Sequence, residues 1–193
     1  KIVQYKGEIY TNEKQLIIQQ MDSLVKNNLI NTKKYEDYKA KYEFASNESN
    51  KYYREAITHY ERRLQLNNLD ATVYNNLGTC YGFMNVTDSA EMNFKIAIEK
   101  SRNCYADALC NMATAYINRG AISWQQNRRE EAIKHYQTAI DYCNQTIACK
   151  WDTPLAYKYL SIAYNVLGDP EKSRKYFLQG EQIQKNSSAA PSK

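Results

Sequence analysis

The chain has 193 residues, 43% of them hydrophobic, enough for one compact domain or one short solenoid and too many for wholesale disorder. Three Pro and six Gly are too few for a loop-rich β protein, and a net charge of +5 is spread thinly among acids. Between Lys33 and Arg63 eight Lys/Arg alternate with six Asp/Glu, which describes a solvated face and excludes a nucleic-acid stripe.

No apolar run approaches the roughly 18 residues of a membrane span, so no transmembrane segment is expected. The sequence opens on Lys1 without Met, so an upstream segment is expected, either a removed signal peptide or a trimmed terminus. Tyr is abundant, 18 residues against 4 Phe, and such rings pack a face while wetting a hydroxyl.

In chain order, residues 1–30 predict a leading helix of about 11–28. Thr11 is its expected cap, and Ile17, Met21, Leu24 and Val25 are its apolar face. Residues 31–68 predict two helices. The first, over 33–46, carries Tyr35, Tyr38 and Tyr42 on one side; the second carries Ala56 and Tyr60 in YYREAITHYERRL.

The pattern sharpens over 71–104. Tyr74, Leu77, Gly78 and Tyr81 lie on one helical stripe, and after a break Ala90, Phe94 and Ala97 form a second. Small residues at Gly78 and Ala90 let two antiparallel helices approach closely.

Residues 105–150 repeat the pattern with a difference. Ala132, Tyr136 and Ala139 mark the second helix, and Tyr116 and Gly120 stand at the matching places in the first. Leu109 and Ala113 extend that first stripe backward to about 105. The second helix is long by a matching amount, about seven residues or two turns, roughly 10 Å. This middle hairpin should therefore be extended at one end.

A further copy runs over 154–185, with Tyr157, Leu160, Ser161 and Tyr164 in its first helix and Ser173, Phe177 and Gly180 in its second. Gly168-Asp169-Pro170 between them reads as helix stop, N-cap and first-turn proline. The tail, 186–193, is rich in Ser, Ala and Pro and is expected to be disordered.

These stripes resemble the tetratricopeptide repeat (TPR) at its signature positions, the terminal proline excepted; 31–68 is then a degenerate copy. The resemblance implies an all-α fold, a right-handed α–α superhelix of about three to four helical hairpins plus an N-terminal helix that seals the open end. It also implies that the first helices line a groove gripping a protein or peptide partner. Groove positions carried over from the family are Asn75, Asn76, Thr79 and Phe83 in one repeat, Asn111, Thr114 and Asn118 in the extended one, and Lys158, Tyr159, Ile162 and Asn165 in the last. Asn side chains offer donors and an acceptor to a peptide backbone, although an Asn-rich composition scatters Asn everywhere.

The branch of the family that clamps a C-terminal carboxylate with Lys and Arg has Lys and Asn where this chain has Asn75 and Thr79, and Asp107 and Leu155 offer no cation either. With only Asn111 and Lys158 suggestive, that clamp is not expected.

Four of five cysteines fall at the extended end of the middle hairpin. The antiparallel count sets Cys110 opposite Cys143 and Cys104 opposite Cys149, so all four are disulfide candidates. Residues six apart lie about 120° apart around a helix, so the outer pair must sit in loops past the helix ends. Reduced cysteines serving as small hydrophobes and a four-thiolate zinc site are the alternatives, the latter lacking the usual tight ligand spacing. Oxidised cysteines would mean an extracytoplasmic location: periplasmic, cell-surface or secreted. Four formal glycosylation sequons, at Asn47, Asn85, Asn144 and Asn186, arise easily in an Asn-rich chain.

No phosphate loop, metalloprotease motif or nucleophile elbow is present. His59 and His135 are expected on the outer side of their hairpins, and Arg128-Arg129-Glu130-Glu131 as a charged helix start. The chain therefore reads as a scaffold with no cofactor, no metal and no catalytic residue. Its rivals are an architectural subunit of a larger membrane-anchored, envelope or secretion assembly, and a helical accessory domain of a larger enzyme.

Overall fold

The computed structural model describes residues 2–149 and 153–189. The described residues form eight helices and no strand: α1 Ile2–Lys26, α2 Lys33–Leu66, α3 Ala71–Phe83, α4 Thr87–Lys100, α5 Ala106–Gln125, α6 Arg129–Ala148, α7 Pro154–Val166 and α8 Pro170–Ala189. The chain divides into two compact units, Lys1–Leu69 with Asn76–Ala90 and Asp70–Asn75 with Glu91–Lys193.

In the first unit α1 and α2 pair as a hairpin. Asn28 takes a left-handed φ of 55° to stop α1, and the Leu29 amide returns to the Leu24 carbonyl. Thr32 then caps α2 by accepting from the Tyr35 amide. Two expectations change here. Residues 33–66 are one continuous helix, so the degenerate hairpin over 31–68 is absent and the leading helix is not a lone seal but the partner of α2. The segment joining the two expected helices holds neither Gly nor Pro, and Ala45, Ser49, Tyr53, Ala56 and Tyr60 keep one buried stripe running through it.

Thr11, expected as a cap, lies inside α1. Its hydroxyl reaches the Gly7 carbonyl (3.0 Å), Ser49 Oγ (3.0 Å) and the Tyr53 phenol (3.1 Å). Gly7 is needed there, since a Cβ would come within 2.8 Å of the Tyr53 ring. The Tyr60 hydroxyl donates to Gln4 Oε1 at 2.7 Å, so this helix pair is joined by phenols as well as by Ile17 and Leu24. Met21 is half-buried, whereas Val25 is exposed.

In the second unit Asp70 Oδ1 accepts from the Thr72 and Val73 amides and starts α3. α5 and α6 have 20 residues each against 13 for α3, 14 for α4 and 13 for α7, so the middle hairpin is extended by about two turns, as its sequence predicts. The core joins Cys110, Ala113 and Ile117 of α5, Ala132, Tyr136, Ala139, Ile140 and Cys143 of α6, and Ala156, Leu160 and Ala163 of α7. Its many alanines bring helix axes close, and Leu160, fully buried, is worth about 1.5–3 kcal/mol.

α7 starts at Pro154 under a Thr153 cap. Gly168 at φ 81° ends the hairpin's first arm, and Asp169 caps α8 by accepting from the Lys172 amide. Ser173 Oγ donates to the Ser161 carbonyl at 2.9 Å and closes that pair. Phe177, expected on the packed stripe, is 56% exposed, while Gly180 is buried under Tyr157. α8 also runs on through Asn186 to Ala189, past the expected start of the disordered tail; residues 190–193 of that tail lie outside the described residues.

Candidate functional site

α5 and α7 lie side by side in the second unit, and the groove candidates of that unit fall on them and on the start of α3. Asn75 is buried and accepts a hydrogen bond from Asn111 Nδ2 at 3.0 Å. Thr114 Oγ1 bonds the Cys110 carbonyl at 2.8 Å and the Tyr159 phenol at 3.0 Å. These four residues brace one helix to the next. Asn118, Lys158 and Asn165 are exposed, and Ile162 is half-buried beside the core. Spacings of three and four along α5 and α7 put them on this face. In the first unit Asn76 and Thr79 are half-buried, and Phe83 stacks on Tyr53 with ring centroids 5.2 Å apart.

Sequence reading missed a charged cluster on α4 and α5. Glu91 pairs with Arg119 Nη1 at 2.7 Å and Lys95 Nζ at 2.8 Å, and accepts from the Tyr116 phenol at 3.0 Å. Burial alone would raise its pKa, but the hydrogen bonds from Lys95, Arg119 and Tyr116 outweigh it and hold the carboxyl below its ordinary value. Tyr116 stacks in turn on Tyr142, and His135 tilts against the same ring. His135 is thus half-buried and paired with Glu131 at 3.4 Å, not a plain surface residue, whereas His59 is exposed. Only the Glu91–Lys95 spacing is local; Arg119 and Tyr116 sit on the next helix, beyond any sequence window. A shallow cleft of about 340 Å³ opens between α4 and α6, with Lys95, Asn103 and Tyr142 in its wall.

The cysteines divide. Cys104 and Cys149 stand at disulfide distance with Cα atoms 5.6 Å apart, just outside α5 and α6 as the helix geometry requires. Cys110 and Cys143, the other expected pair, are free and buried. The register differs from the expected one by about a turn: Gly120 meets Tyr136, and the Cys110 thiol is directed at Thr146 Oγ1, 3.9 Å away, in place of Cys143. Burial pushes the Cys143 and Cys80 thiols up to about 12 and raises Cys110 as well, which leaves all three protonated and poor nucleophiles. Among the described residues no group of three His, Cys, Asp or Glu is arranged to hold a metal ion. Nor is any helix among them long and apolar enough to cross a membrane.

Residues 111–186 match the family model of the tetratricopeptide repeat. A search of the curated proteins gives no match. Among solved structures the chain is similar to a crystal structure of MamA protein at 18% identity and TM-score 0.56, with 97% of each chain covered. A second crystal structure of MamA aligns at 18% identity and TM-score 0.43 over 90% of each chain. The helical-repeat fold is common to this chain and the first of these. The part of the repeat pattern that the tetratricopeptide family model matches is thus residues 111–186, on α5 to α8.

Proposed function

We propose that this protein is a non-catalytic scaffold that binds a protein or peptide along α5 and α7, in an extracytoplasmic compartment. The observation that carries the reading is the set of exposed polar side chains, Asn118 on α5 with Lys158 and Asn165 on α7, beside the Asn75–Asn111 and Thr114–Tyr159 braces. Such groups can donate to and accept from an extended peptide backbone, and the half-buried Ile162 adds apolar contact. The tetratricopeptide fold generally serves protein interaction without catalysis, which supports the same reading by analogy. The compartment rests on Cys104 and Cys149: a pair at disulfide distance persists where thiols are not kept reduced.

The test is copurification from the source cell, identification of the captured protein by mass spectrometry, and titration of its binding segment. Asn118→Ala with Asn165→Ala changes two exposed residues outside the Asn75–Asn111 brace. Loss of two backbone hydrogen bonds weakens binding by roughly tenfold or more. Undiminished capture by the double variant counts against the groove.

A further inference from the structure

The outer face of α1 goes beyond the groove reading. The helix packs on α2 through Gln4, Gly7, Thr11, Ile17 and Leu24. On the opposite side Ile2, Tyr5, Ile9 and Leu16 are 78%, 64%, 49% and 59% exposed. They are not scattered. Ile2, Ile9 and Leu16 recur every seven residues, with Tyr5 and Asn12 at the intervening three-and-four spacing. That is the a/d spacing of a helix face that meets another helix, with one polar position at Asn12. Isolated exposed hydrophobics need no explanation, but an aligned row of four does.

Charge decides what covers the seam. Lys6 and Glu13 flank it on one side, Glu8 and Gln15 on the other, and all four are at least partly exposed. A parallel second copy would set Glu8 against Glu13 of its neighbour twice over, two like-charge contacts. An antiparallel copy sets Lys6 against Glu13 twice, places Glu8 opposite the neutral Gln15, and lays Tyr5 on Leu16 and Ile9 on Asn12. The helix is therefore self-complementary in one orientation and self-repelling in the other.

We propose that this face of α1 is the dimerisation surface of the protein, seating a second copy of α1 antiparallel along Ile2–Leu16. The seam is about 21 Å long, since each residue rises 1.5 Å. An interface of one helix face lies at the low end of specific association, about 1,000 Å², so the dimer is reversible.

Sedimentation equilibrium of the full chain up to about 300 µM reads this directly. A monomer–dimer equilibrium is expected. Lys6→Glu and Glu13→Lys should each raise the dissociation constant by about tenfold, and the two together should return it to within about threefold of the parent. Ile9→Glu should leave monomer only, with its thermal midpoint held because Ile9 points away from α2. A monomer throughout the range overturns the proposal, and so do assemblies that grow past two chains. A double charge swap that stays weak overturns the antiparallel register.

Discussion

Glu91 shows how one residue ties a helix to its neighbour. Its carboxylate accepts from Tyr116 and pairs with Arg119, both on α5, while Lys95 on its own helix completes the set. Because its folded pKa is depressed, the stability it supplies is fully present above its ordinary value of 4.5 and is lost as pH falls through the folded value. Glu91→Gln should cost roughly 1–3 kcal/mol in urea unfolding at pH 7, and the gap between variant and parent should close toward pH 3. A gap that stays constant with pH would assign the loss to packing and not to charge. The buried thiols make a second residue-scale prediction. With Cys80 and Cys143 pushed up to about 12, the native protein should show no thiol reactive at pH 8, three after denaturation, and five only after reduction. Five reactive thiols in denaturant without reductant would remove the Cys104–Cys149 bond.

At the scale of elements, the extended α5–α6 hairpin is closed at its far end by that bond, which spans 45 residues of sequence. Constraining a loop of this length stabilises by about 4 kcal/mol in the chain-entropy account, and measured values usually run lower, about 2–4. Cys104→Ser should lower the thermal midpoint by a similar amount to reductant, and reductant should do nothing further to the variant. Cys110→Ser should leave the response to reductant intact, since its thiol lies against Thr146. Close packing in the same hairpin makes Gly120→Val costly: even a Cβ there would sit 3.0 Å from the Tyr136 ring, so overpacking of about 1–3 kcal/mol is expected in equilibrium unfolding.

At the scale of the second unit, stability should follow the nearest-neighbour logic of repeat arrays, in which a hairpin covers the apolar face of the one before it. In the second unit α7 supplies Ala156, Leu160 and Ala163 to the core that α6 lines with Ala139, Ile140 and Cys143. A chain ending at Cys149 should therefore bind a hydrophobic dye and lose the sharp cooperative transition of the full chain. Retention of a sharp transition with no dye binding would mean that α5–α6 is self-sufficient. The groove on α5 and α7 disappears in the same truncation, which links stability to the proposed binding face.

Periodicity alone was enough to set the helical class, the turn at Gly168, and the two extra turns of α5 and α6, because a 3.6-residue stripe and its stop signals are local. It failed over residues 33–66, where two helices were expected and one forms; Ser49, fully buried and bonded to Thr11 on α1, lies on the stripe that a partner helix keeps going. It placed Cys104 with Cys149 but also Cys110 with Cys143, since a count along the chain fixes facing residues only to within about a turn. The groove candidates were legible as a face, while the bonds of Asn75 to Asn111 and Thr114 to Tyr159 were not. Register between helices, the Glu91 cluster and the bare seam on α1 were decided only by the tertiary structure, because each depends on which side chains meet across helices far apart in sequence.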